Sequence, residues 1–600
     1  MTKARPVITK HPKPHTHKVT ILAQDPSAPI FAEVDVPYET PIPGPCGYRV
    51  RVIDYDSSTG KLYRPGHFPI EPEGGKAHRL LADRAFHAQN VYAIVMRTLA
   101  RFEFALGRRV PWSFDGHQLF VAPHGFADAN AFYSKRDRAL FFGYFTGTSG
   151  KSVFTCLAHD VVAHETTHAL VDGLRERFTD PSSPDQAAFH EGIADAVALL
   201  SIFSIAEVVK YGLDSLSRGA GSRAGVVAKL VEKKALTITK LKDTVLLGLG
   251  KQVGEQMQGF DITETNRRKV ALRRSVAIKP DKNILNLDEF KEPHRRGEVF
   301  VAAVMNVFLN IWHARLRQLG TVRDGMVDRD RVAEDGATAA DHLLTVAIRA
   351  LDYCPATDLS FCDYLSALLT ADYEIQPDDS RYHYRNLLLE GFAAYGIEPS
   401  SKAPGGRWEN PDDVLDNSWT HFESLRRDRD EVFRFLWQNQ VPLGINSEAY
   451  TRILSVRPCT RISPDGFTLS ETVAEYVQMM TLTAKELPGL QWEIWKGLDA
   501  ERKSQLKPFP IPQGMTPDLE ITIYGGGSLI FNEFGRLKYH IRNKILNADR
   551  QAARLDYLWK SGFFDEPDSD NATPFASMHR LRWADDASFF GKETPHGEFF

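Results

Sequence analysis

At 600 residues the chain is too long for one ordinary core, and three or four packed units are expected. Apolar residues make up 43% of it and charged residues 25%, ordinary globular values that supply a large buried core. A net charge of −4 leaves no electrostatic case for nucleic acid or an anionic membrane as partner.

Residues 1–17 carry Lys, Pro and His without the apolar centre of a signal peptide, and read as a disordered tail. Residues 18–77 read as a β-rich leader, with runs such as Val19-Thr-Ile-Leu between Pro and Gly turns. The spacing of Ala85, Val91, Ile94, Val95, Leu99 and Phe102 predicts a helix over 78–107. Strands are predicted at Gln118–Ala122 and Ala139–Phe145. The chain then turns mainly helical, with helix-like patterns over 153–174, 187–210, 224–250, 298–318 and 338–352. Pro and Gly cluster at 398–406 and mark a domain boundary. Beyond it, residues 407–600 have no legible role. There Leu519-Glu-Ile-Thr-Ile-Tyr, Gly525-Gly-Gly-Ser and Leu529-Ile-Phe read as a hairpin.

The longest apolar runs, Ala196–Ala206 and Val299–Val304, fall short of the roughly 20 residues that cross a bilayer. The five cysteines, Cys46, Cys156, Cys354, Cys362 and Cys459, are scattered and lack C-x-x-C spacing. A reducing compartment suits that usage better than a disulfide framework. The expectation is a cytoplasmic protein with no membrane partner.

The central signal is His164-Glu165-Thr166-Thr167-His168. Histidines at i and i+4 lie on one helix face, so both rings can reach one ion. Glu165 points beside them, where a base must stand to deprotonate an activated water. A catalytic zinc usually takes three protein ligands. Phe189-His190-Glu191-Gly192-Ile193-Ala194-Asp195 opens the next helix. Glu191 completes a two-histidine, one-carboxylate set, and Asp195 can accept the free N–H of a ligand histidine. The helix continues as Ala196-Val-Ala-Leu-Leu, so its carboxylates need a partner charge, which zinc would supply.

These residues resemble the thermolysin-like gluzincins, whose pattern is H-E-x-x-H followed by E-x-x-x-D. Upstream, Asn130-Ala131-Phe132-Tyr133 resembles the family's substrate-binding edge strand. The resemblance covers about 80–320. It implies an α+β fold with a metallopeptidase domain over 78–400: a β-rich lobe, 78–150, a mainly helical lobe, 151–400, and zinc in the cleft. It implies one Zn2+ per chain, held by His164, His168 and Glu191, with Glu165 as general base. Asp195 and His190 would support the ligands. Asn130 and Ala131 would bind a peptide or protein substrate by strand addition. His294, oriented by Asp288, would stabilise the oxyanion, and Arg273 would hold a substrate carbonyl. With no G-x-M-E-N signature, the activity implied is endopeptidase.

The family's oxyanion tyrosine has no counterpart between His168 and Glu191. That absence keeps open a rival reading, a zinc-holding pseudo-peptidase that binds partners. Other features read more plainly. Gly147-Thr-Ser-Gly-Lys151-Ser152 lacks the first glycine of a phosphate loop. Cys156 reads as a core residue, and His159 and Asp160 could lie near the zinc site.

Overall fold

The computed structural model describes residues 15–39, 44–64, 66–70, 77–147, 149–180, 182–217, 229–248, 275–322, 324–411, 415–462, 468–493 and 508–564. Strands β1 (Thr16–Leu22) and β2 (Phe31–Pro37) form an antiparallel hairpin. Their alternating buried residues Val19, Ile21, Val34 and Val36 lie on helix α1 (Arg84–Leu106). Two amides of α1 fasten the hairpin. Asn90 accepts from the Leu22 N–H at 2.9 Å, and Gln89 donates to the Thr20 carbonyl at 2.9 Å. Asp83 caps α1 and Gly107, at φ 68°, ends it.

The next strand, β3 (Val50–Val52), pairs parallel with β6 (Leu119–Phe126). The main sheet therefore crosses the boundary expected at residue 77. A small ribbon, β4 (Tyr55–Asp56) with β5 (Lys61–Leu62), lies between the two strands in sequence. The sheet continues through β8 (Ala139–Thr146) to β7 (Ala131–Ser134), in the order β3-β6-β8-β7, which leaves β7 on an edge. Strand β9 (Ser152–Phe154) also pairs with β8.

The helical half starts later than its apolar pattern predicts. Residues 152–157 are spent on β9 and a tight turn, and helix α2 runs His159–Leu174. The pattern over 187–210 is two helices, α3 (Pro184–Phe203) and α4 (Ala206–Ser217), bent by 77°. Ser204 sits in the bend, donating to the Ser201 carbonyl and accepting from Arg97. Within 224–250, where a single helix is predicted, β10 (Leu230–Glu232) pairs with β11 (Met326–Asp328) and helix α5 spans Ile238–Gly248. Residues 218–228 lie outside the described ones. Further helices span Pro293–Gln318, Arg329–Ala350 and Phe361–Ile375. The first is long and apolar enough to cross a membrane, against the expectation from uninterrupted apolar runs. Most of that apolar surface is packed inside the protein, with Val299–Met305 buried as a block.

The C-terminal third builds an antiparallel sheet, β12 (Tyr450–Ile462), β13 (Thr468–Thr483), β14 (Glu520–Phe531) and β15 (Leu537–Asn543). The hairpin predicted around Gly525 is instead one unbroken strand. A Cβ on Gly526 would stand 2.3 Å from the Tyr476 carbonyl oxygen, and one on Gly527 2.3 Å from that of Ile541. These glycines serve close backbone approach within the sheet, not a turn. Cys459, Val473, Ile530, Tyr539 and Ile541 of this sheet join the same hydrophobic core as α1–α3.

Candidate metal centre

Helix α2 carries its polar motif through the protein interior. Thr166 and Thr167 donate to the Val162 and Ala163 carbonyls one turn back, each at 2.7 Å, so neither hydroxyl is stranded. Helix α3 begins at Ser183, whose hydroxyl accepts from the Gln186 N–H, with Pro184 in the first turn. That start puts Glu191 two turns in, against α2.

The three predicted ligands converge. His164 Nε2 faces His168 Nε2 at 2.9 Å, and the Glu191 oxygens lie 3.5 and 3.4 Å from those two nitrogens. One ligand atom from each residue falls within 4.8 Å of the others, and all three residues are buried. Asp195, one turn beyond Glu191, accepts from His164 Nδ1 at 2.7 Å, which leaves Nε2 facing His168 and Glu191. His190 stands behind the second ring, its Nδ1 2.7 Å from His168 Nδ1 and the rings stacked at 4.8 Å. Glu165, 2% exposed, follows His164 on the same helix. Burial disfavours charge on His164, yet Asp195 and Glu191 outweigh it and push that ring up to about 10. Burial holds His168 down, and burial with the neighbouring His168 holds His190 well down. Two imidazoles and one carboxylate converging on one point fit a divalent transition ion.

Asp195→Asn keeps the shape of this arrangement but loses the anionic acceptor on His164. Metal affinity is expected to fall about 10- to 100-fold, read by competition with a chromophoric chelator.

Comparison with protein-family models finds no match for this chain, and comparison with curated proteins finds none either.

The remaining predicted residues divide. His294 opens the helix Pro293–Gln318, but Asp288 is not its partner. Asp288 is 93% exposed and pairs with Lys291 at 2.5 Å. The carboxylate on His294 is Glu292, whose Oε1 lies 2.5 Å from Nδ1. Burial works against ionised Glu292, but the His294 ring and the backbone N–H groups of His294 and Arg295 hold it at about 2. Glu292 is also the helix cap, and that position, rather than the family's spacing, was the signal for it. One turn on, Gly297 brings this helix onto α3. A Cβ there would stand 3.0 Å from the Ala188 carbonyl oxygen and 3.7 Å from the Glu191 Cβ.

Ala131 lies in the edge strand, as predicted, and its N–H donates to the Asn130 side chain at 2.8 Å. Tyr133 ties that strand to α2, donating to Asp172 at 3.1 Å one turn beyond His168. Arg273 lies outside the described residues. His159 approaches Ser201 at 3.3 Å and, among the described residues, joins no metal cluster. Asp160, in the first turn of α2, is pushed up to about 6 by burial and by Asp25. Sequence reasoning also missed Arg457 on β12. It donates to the Leu174 and Gly173 carbonyls at 2.7 and 3.3 Å, capping the C-terminal end of α2.

Proposed function

We propose that the chain is a zinc-dependent peptidase, acting within peptide chains, on a thermolysin-like gluzincin core. One observation carries the reading. His164, His168 and Glu191 offer three ligand atoms to one point, and a buried glutamate, Glu165, follows the first of them on the same helix. A structural zinc usually takes four protein ligands and needs no adjacent base, whereas three ligands leave a position for reactants.

Bound zinc would supply Lewis acidity, making water a nucleophile near neutral pH and polarising the scissile carbonyl. Glu165 takes the proton of the attacking water and passes it to the leaving amine. His294, held by Glu292, donates to the carbonyl oxygen as negative charge develops there. The edge strand Ala131–Ser134, anchored to α2 through Tyr133 and Asp172, accepts an extended peptide backbone.

The test is digestion of a peptide library by the purified full chain, with a chelator and after zinc is restored. Cleavage of internal bonds is expected, lost on chelation and regained with zinc. Retained zinc without any cleavage would replace this reading with the zinc-holding binding protein. The lack of a tyrosine between His168 and Glu191 favours that second reading.

A further inference from the structure

A second cluster of ligand-type side chains lies in the β-rich half. His87 is on α1, His124 on β6, and Cys156 in the turn that leads from β9 into α2. One ligand atom from each falls within 4.8 Å of the other two, and all three residues are buried to 1% exposure or less. None of the three belongs to the centre described above.

The hydrogen-bond pattern fixes the outer nitrogens of both rings. His87 Nε2 lies 3.0 Å from the Leu81 carbonyl, and His124 Nδ1 lies 2.8 Å from an Asp54 carboxylate oxygen. Both outer partners only accept, so each outer nitrogen carries a proton. The inner nitrogens, His87 Nδ1 and His124 Nε2, then present lone pairs to each other, yet they stand 2.8 Å apart. Two neutral imidazoles cannot make that contact attractive. Something positive lies between them, a metal ion or a proton shared by the two rings. The pair His164 and His168 has the same inner approach, at 2.9 Å, with a carboxylate on the outer nitrogen of His164. Phe154 closes the second cluster, its ring centroid 4.9 Å from His87 and 5.3 Å from His124.

We propose that His87, His124 and Cys156 form a second metal site for one borderline-soft transition ion, Zn2+ or Cu+. Two imidazoles and a thiolate are the donors such ions select, and they suit calcium or magnesium poorly. On binding, the Cys156 thiol loses its proton to solvent and the sulfur takes up the metal bond, with no change of oxidation state. Asp54 holds the His124 tautomer, the part Asp195 plays for His164. The ion joins α1, the main sheet and the turn entering α2, and so fixes the approach to the metal-bearing helix.

The test is metal analysis of the purified full chain beside Cys156→Ser and His168→Ala. The wild type is expected to carry about two equivalents and each variant about one, the identity of the lost ion separating zinc from copper. Because His168→Ala touches only the first centre, failure of the peptidase reading would leave this result standing. Cobalt loading of the wild type gives a second readout that does not depend on a variant folding. A sulfur-to-cobalt charge-transfer band in the near ultraviolet supports the site. A cobalt-loaded protein without that band overturns it, as does a metal content that Cys156→Ser leaves unchanged. A proton shared by His87 and His124 would then be what joins them.

Discussion

Glu165→Gln is expected to slow peptide cleavage by about 100- to 10,000-fold while zinc stays bound. The proposed ligand atoms belong to His164, His168 and Glu191, and none of them changes. Gln matches Glu in shape, so the 2% exposed position is filled as before. What is lost is the ability to take a proton from water and return it to the amine. Since each tenfold in rate is about 1.4 kcal/mol of barrier, the single proton acceptor accounts for about 3–6 kcal/mol. The measurements are initial rates on one cleaved peptide and zinc content of the same preparation. Full activity in the variant would remove Glu165 from the mechanism. Loss of zinc together with activity would make it a support of the site instead.

Asp352→Ala is expected to destabilise the fold by about 3–5 kcal/mol. Asp352 sits where the C-terminal sheet meets the helical half. Arg108 reaches it at 2.6 Å and Arg461 of β12 at 2.5 Å, and Arg461 also pairs with Glu471 at 2.5 Å. Every side chain in the network is at most 6% exposed. Removing the carboxylate leaves two guanidinium groups buried with less than their complement of negative charge, the costly half of a broken buried pair. Burial alone would raise the Asp352 carboxyl, but Arg108 and Arg461 hold it below its ordinary 3.8. A depressed carboxylate stabilises the fold above its unfolded pKa and stops doing so as pH falls through the folded value. The wild type should therefore lose this contribution below about pH 3.8, and the variant should lack that part of the acid dependence. Denaturant titrations of both proteins, at neutral pH and across the acid range, check both statements. A variant as stable as the wild type would mean the sheet is docked by its apolar contacts alone.

These two sites differ in how far they can be read along the chain. His164 and His168 are one helical turn apart, and a turn is a local property, so their shared face follows from spacing. Glu191 and Asp195 repeat that logic on the next helix. The Asp288 assignment went astray because it rested on spacing across a loop. In a loop, hydrogen bonding decides partners, and Glu292 takes His294 while it also caps the helix. The Gly525–Gly527 segment misled for a related reason. Glycine permits a turn, but it equally permits two backbones to approach, and only the neighbouring strands choose between these.

The amino-acid sequence by itself determined the candidate set: two rings on one helix face, a glutamate beside them, and a carboxylate pair on the helix that follows. Periodicity makes such sets local, so they survive without knowledge of the fold. Tertiary structure alone decided that α2 and α3 aim those atoms at one point and that Arg457 caps α2. It alone brought His87, His124 and Cys156 together from a helix, a strand and a turn. Contacts of that kind are set by how elements pack, and no repeat along the chain encodes them.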